Sequence, residues 1–255
     1  MIKAIRFVGY RKSGKTYAIE RICRKLTEKN MSIVVVKSLG EHDLNVPGKD
    51  TYRFMQITGN VIAVGQYSIA FIRKMDEKNL PMIINFISYH VDIVLIEGFK
   101  EDKNSPKIIC AKTLNEVERL CDGLELAVTG PIARIEEERK YIETNMKLPV
   151  FDINVESELN KLVELILKKS FILPGYNCGR CGLNCYELAK KIVKGEMSIN
   201  TCFYRRTERA RVKLIIGDTR IELNPFIEEI IRSTVKGLLK PLKGYREDRI
   251  YLEIY

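Results

Sequence analysis

Residues 9–16 read GYRKSGKT. The stretch follows AIRFV (4–8) and precedes a segment, Lys15 to about Lys29, whose apolar residues recur at helical spacing. A strand, a glycine-framed turn and a helix are the context that makes G-x-x-x-x-G-K-[ST] a phosphate-binding loop instead of a chance string. Gly9 and Gly14 permit the tight curve that aims backbone N–H groups at phosphate oxygens, and Ser13 lies inside that curve. In this chemistry Lys15 reaches the β- and γ-phosphates and Thr16 offers its hydroxyl to Mg²⁺. The dipole of the helix that starts at Lys15 adds positive potential.

Working outward, the same alternation continues. SIVVV (32–36) is an apolar run of the kind found in strands covered on both faces. NVIAVG, SIAFIR, DIVLIEG (92–98), KIICA and LELAVTG (124–130) read as further strands, with MIINFI inside a helix. PVFDI (149–153) is a short strand, and a helix is expected from about Glu156 to Lys169. The fold class is therefore α/β: a mainly parallel sheet flanked by helices, of P-loop NTPase type. Beyond Pro174-Gly175 the pattern changes to a Cys-rich segment and a small ββαβ unit, with a hairpin around Gly217-Asp218, a helix after Asn224-Pro225 and a last strand at 250–254. The expected divisions are 1–170, 174–205 and 206–255.

A phosphate loop needs an acid at a neighbouring strand end. In DIVLIEGF four apolar residues end in Glu97 and Gly98, so Glu97 is the candidate to hold Mg²⁺, directly or through water. The loop EHDLNVPGKD (41–50) supplies Asp43 and Asp50 as weaker candidates for metal or phosphate contact. There is no N-K-x-D guanine reader; Lys112 and Thr113, after KIICA, are the nearest substitute.

Of seven cysteines, Cys23, Cys110 and Cys121 sit in periodic segments and read as buried small hydrophobes. Cys178, Cys181, Cys185 and Cys202 have the spacing C-x2-C-x3-C-x16-C. Three close thiolates and one distant one fit a [4Fe–4S] cluster, and zinc is the alternative for four Cys ligands. Gly179 and Gly182 let such a loop wrap closely, and an amphipathic helix after Cys185 supports it.

The chain carries net charge +10, and residues 174–255 hold 16 Lys and Arg against 10 Asp and Glu. An anionic partner fits that balance, a nucleotide among them. Arg205, Arg206, Arg209 and Arg211 lie just past Cys202, but with no Trp and no interleaved aromatics single-stranded nucleic acid is a poor match. No apolar run spans a bilayer, so the reading is cytoplasmic, without a membrane role.

FVGYRKSGKT, HDLNVPGKDTYRF and DIVLIEGFK together resemble the molybdopterin-guanine dinucleotide biosynthesis B family over about residues 1–165. That resemblance places Lys15, Thr16, Asp50, Glu97 and Asp43 on family motif positions. It implies GTP with Mg²⁺, a homodimer, at most weak GTPase activity, and a partner that is a molybdopterin-type cofactor or its biosynthetic enzymes. One departure is Ser38 after Lys37, where the family often has His. The four-Cys segment is similar to the small Fe–S domain of archaeal corrinoid proteins, with one residue fewer between the second and third Cys. Two other functions fit the motifs. One is a P-loop kinase for a small acceptor, with Arg134 and Arg139 as its arginines; the other is a nucleotide-switched metal-delivery or redox adapter.

Overall fold

A computed structural model describes residues 3–39, 50–73, 80, 83–84, 91–204, 212, 214–216, 219–221, 225–245 and 250. They divide into two compact units, 1–199 and 200–255, with the cysteine segment through residue 199 in the first.

The first unit opens with β1 (Lys3–Val8), α1 (Lys15–Glu28) and β2 (Ile33–Lys37), followed by α2 (Asp50–Thr58), β3 (Asn60–Val64) and β4 (Ile69–Arg73). Next come β5 (Ile93–Glu97), β6 (Lys107–Cys110), α3 (Leu114–Leu120), β7 (Glu125–Thr129), α4 (Glu136–Tyr141), α5 (Glu156–Lys169) and α6 (Cys185–Lys194). Five strands form one parallel sheet in the order β2-β5-β1-β6-β7. The register sets Lys37 beside Glu97 and Glu97 beside Phe7. All three therefore lie toward the carboxyl edge, and Phe7 is two residues before the glycine that opens the phosphate loop.

Period-2 alternation sends the strand side chains to two faces. Ile5, Phe7, Ile93, Leu95, Ile108 and Cys110 pack with α1 and α5 through Ala18, Ile22, Leu26, Leu159, Leu162 and Ile166. On the other face Val8, Ile109 and Val128 join Val117, Ile132 and Ile142, while Ala4, Val94 and Ile96 meet Leu80, Ile84 and Ile172. Between those two clusters stands Arg6, fully buried.

Four expectations change. β2 is an edge strand with Val35 46% exposed, so its valine run is not covered on both faces. NVIAVG and SIAFIR leave the main sheet and, among the described residues, pair with each other alone, as an antiparallel hairpin of β3 and β4. Cys23 and Cys121 are half-buried, and Cys110 alone of the three is in the core. The PVFDI strand shrinks to one parallel bridge, Val128 to Val150, since Pro149 has no N–H to extend a ladder. In the second unit β8 (Leu214–Ile216) pairs antiparallel with β9 (Thr219–Ile221), and α7 (Pro225–Leu239) begins at the proline. Most of MIINFI and of the last strand, the turn Gly217-Asp218, and Arg205, Arg206, Arg209 and Arg211 lie outside the described residues. Among the described residues no helix is long and apolar enough to cross a membrane.

Candidate nucleotide-binding site

The loop between β1 and α1 is shaped by backbone geometry first. Lys12 and Gly14 take left-handed conformations, φ 59° and 90°, and Gly14 caps α1. A side-chain carbon on Gly9 would lie 2.3 Å from both the Cys110 carbonyl and Ser13 Oγ. Nothing larger than hydrogen fits there. Ser13 is fully buried, and its hydroxyl has no hydrogen-bond partner among the described residues. A buried hydroxyl without a partner costs free energy unless a ligand or water satisfies it. Lys15 folds back over the loop, donating from Nζ to the carbonyls of Gly9 (3.2 Å) and Tyr10 (2.7 Å). Burial holds its pKa below the ordinary lysine value, with Glu97 pulling the other way. An ammonium resting on carbonyls beside an unsatisfied hydroxyl fits a phosphate group that would take over these contacts.

The metal side is assembled from two strands. Thr16 Oγ1 donates to Glu97 Oε1 at 3.0 Å, and Lys37 Nζ lies 3.3 Å from Glu97 Oε2. A hydroxyl and a carboxylate are hard oxygen donors, and Mg²⁺ is commonly held by one or two such groups plus phosphate and water. Gly98 and Phe99 turn the chain away with φ 95° and 53°. A side-chain carbon on Gly98 would meet Ser38 at 3.1 Å.

Gly9, Ser13, Gly14, Lys15, Thr16, Glu97 and Gly98 are thus gathered at one place. Asp50 is not among them in its contacts: it opens α2, exposed, in an ion pair with Arg53. Asp43 lies outside the described residues. Lys112 and Thr113 serve a helix instead of a base: Thr113 caps α3, accepting from Glu116 N at 3.4 Å, while Lys112 pairs with Glu116 at 3.2 Å. Arg134 lies 3.5 Å from Asp152, and Arg139 binds Glu143, Glu158 and the Val150 carbonyl. Both are engaged in local structure.

Two residues were missed by the motif reading. Arg6 donates to the Ser105 carbonyl (2.6 Å from Nη2), Ser105 Oγ (3.0 Å) and the Phe99 carbonyl (3.1 Å), with Asp102 at 3.5 Å. Burial lowers its pKa and Asp102 counters that. It ties the loop after Glu97 to the central strand. Its signal was the lone charge inside AIRFV. The other is Gly130, φ 102°, where a side-chain carbon would sit 2.7 Å from the Ser13 carbonyl and 2.8 Å from the Ala111 carbonyl. Gly130→Ala is expected to cost about 1–3 kcal/mol by overpacking. That lowers the melting temperature by roughly 5 °C, read by a thermal melt; an unchanged melt would show that the contact yields freely.

The cysteine segment begins in left-handed turns at Asn177 (φ 47°), Gly179 (69°) and Gly182 (79°), with open space around both glycines. Cys185 is the first residue of α6, whose start is fixed by a capping box between Asn184 and Glu187. Tyr186 donates to the Asp122 carbonyl at 2.5 Å, anchoring the helix to the sheet unit, with Leu188 and Ala189 buried beneath. Among the described residues no three His, Cys, Asp or Glu side chains are gathered to hold a metal ion. The thiol donors suit iron–sulfur or zinc chemistry in kind.

Strand, glycine-framed loop, helix and strand-end acid define a P-loop protein of the mainly parallel α/β class. A family model described as "Molybdopterin guanine dinucleotide synthesis protein B" (MobB) matches residues 4–128, and a second, described as "Putative Fe-S cluster", matches 173–204. A Methanocaldococcus jannaschii protein named "Putative molybdopterin-guanine dinucleotide biosynthesis adapter protein" is 30% identical over 249 residues, spanning 95% of this chain and 93% of its own. A Bacillus subtilis relative, named a probable adapter of the same type, is 30% identical over 153 residues, covering 58% of this chain and 83% of its own. The crystal structure of Bacillus subtilis MobB superposes with a TM-score of 0.51 at 21% identity, over 64% of this chain and 97% of that one, which shows a common fold. The chain belongs to the MobB family.

Proposed function

We propose that this chain is a GTP-binding adapter in the biosynthesis of molybdopterin guanine dinucleotide, with Mg²⁺ as its metal and an iron–sulfur module at its C-terminal end. The observation that carries the nucleotide is the pairing of a lysine-covered loop, closed to any residue but glycine at position 9, with the Thr16–Glu97 contact. The loop N–H groups and Lys15 bind and orient the phosphates. Thr16 and Glu97 hold the metal, which neutralises phosphate charge when bound. Hydrolysis, if it occurs, is slow, and the nucleotide acts as a binding signal to the cofactor-making enzymes in the cytoplasm. Asp50 and Asp43 are assigned here only on family position.

The active form is a homodimer. A two-stranded hairpin is marginal alone, and the β3–β4 hairpin with α2 exposes Ile57, Ile62, Val64 and Phe71. A second copy is the partner that covers them. The cluster is [4Fe–4S], with Cys178, Cys181, Cys185 and Cys202 as its ligands, and metal binding of this kind is coupled to folding. The kinase alternative is disfavoured because its arginines, Arg134 and Arg139, are already paired with carboxylates.

The test is anaerobic purification, metal and sulfide analysis, and calorimetric titration of GTP and ATP with Mg²⁺. A brown protein with iron and sulfide that prefers GTP is the expected result. A colourless zinc protein sinks the cluster, equal affinity for ATP sinks the guanine preference, and silence with both nucleotides sinks the nucleotide reading.

A further inference from the structure

Three lysines act on one another at the phosphate loop. Lys15 rests on the loop carbonyls. Lys37 reaches Glu97 from β2 at 3.3 Å. Lys100 comes from the turn after Glu97 and sets its ammonium 4.0 Å from the centre of the Tyr10 ring, the residue directly after Gly9. Both Lys37 and Lys100 act on Lys15 as like charges, and among the described residues Glu97 is the one carboxylate that acts on it. Cys110 beneath them is neutral, its thiol pushed up to about 12 by burial. Three positive charges therefore meet one negative charge, an imbalance that an anion relieves.

The three differ in freedom. Lys15 is fixed by its place in the loop, and Lys37 is already paired. Lys100 is exposed and, among the described residues, is held by a ring face alone, while its backbone is firmly placed: Gly98 N donates to the Phe7 carbonyl at 3.0 Å, and Arg6 holds the Phe99 carbonyl at 3.1 Å. A lysine stem swings by side-chain rotation alone. A cation over an aromatic ring at an exposed site is weakly held, and phosphate oxygens compete well for it.

We propose that Lys100 is a positioning residue that senses the terminal phosphate, resting on Tyr10 in the nucleotide-free protein and leaving it for the end of a triphosphate. The proposal rests on the triphosphate reading above and adds the residue that tells tri- from diphosphate. Lys37 holds Glu97 in both states.

Titrations of GTP and GDP, each with Mg²⁺, into the full chain test it. Lys100→Ala is expected to lower GTP affinity about tenfold and to leave GDP affinity within about twofold, with Lys100→Arg restoring most of the loss. Equal losses for the two nucleotides, or none, overturn the proposal, because a merely structural lysine would not discriminate between them. Wild-type protein that binds no triphosphate overturns the reading beneath it instead, and this proposal with it. Since Lys100 is exposed, a melt unchanged from wild type shows that each variant is folded.

Discussion

Lys15→Ala loses at least about a hundredfold in nucleotide affinity, the sum of two charge-assisted contacts at roughly 1.5–3 kcal/mol each. Its melting temperature should barely move. Lys15 is partly exposed, and the carbonyls of Gly9 and Tyr10 that it leaves are at the mouth of the loop, where water replaces it. The two readouts together separate binding from folding: calorimetry should go flat while the circular-dichroism melt overlays the wild type. Retained binding would mean that phosphate is held elsewhere, and the site as described would be wrong. The metal content of the purified protein should be unchanged too, since Lys15 belongs to the phosphate loop and not to the cysteine segment.

Arg6→Met should have the opposite profile, a large stability loss. The substitution keeps the unbranched apolar stem but removes the donors. It leaves the Ser105 and Phe99 carbonyls without them and strands Asp102, 6% exposed, without its cation. Removing one partner of a buried ion pair costs about 3–5 kcal/mol. For a chain of this size that is a fall of roughly 10 °C in melting temperature. Hydrogen exchange should localise the opening to residues 99–105. A Met variant as stable as wild type would show that the loop is held by other contacts. That loop reaches further: the Asn104 carbonyl accepts from Leu173 N at 2.7 Å, and Lys103 pairs with Asp122, whose carbonyl holds Tyr186.

How much of this was legible depends on range along the chain. The phosphate loop was legible because its residues act on each other within eight positions. Glu97 was legible because an apolar run ends on it. The helix from Glu156 was legible in its period, and Leu159, Leu162, Val163 and Ile166 are its buried stripe. What was not legible depends on partners far away. The valines of β2 read as doubly covered, yet strand order decides that, and β5, some 60 residues on, takes the inner place. Arg6 shows only a charge in a strand until Ser105 arrives 99 residues later. Lys112 and Thr113 were misread despite a local sign, since Thr113 with Glu116 three residues on is a helix-start pattern. Apart from its family position, Asp50 had only its loop's polarity to recommend it, a property shared by most loops.

The position of β1 in the sheet has a consequence for biosynthesis. It is the central strand, yet its neighbours are β5 and β6, whose residues lie about 90 and 100 positions downstream. At ribosomal speeds of about 5–20 residues per second, the nascent strand waits on the order of 5–20 s for its first partner. An apolar strand left open that long invites aggregation, and a charge inside the run interrupts it. Before it becomes a clamp, the arginine in AIRFV is therefore expected to make the newborn strand less prone to aggregate.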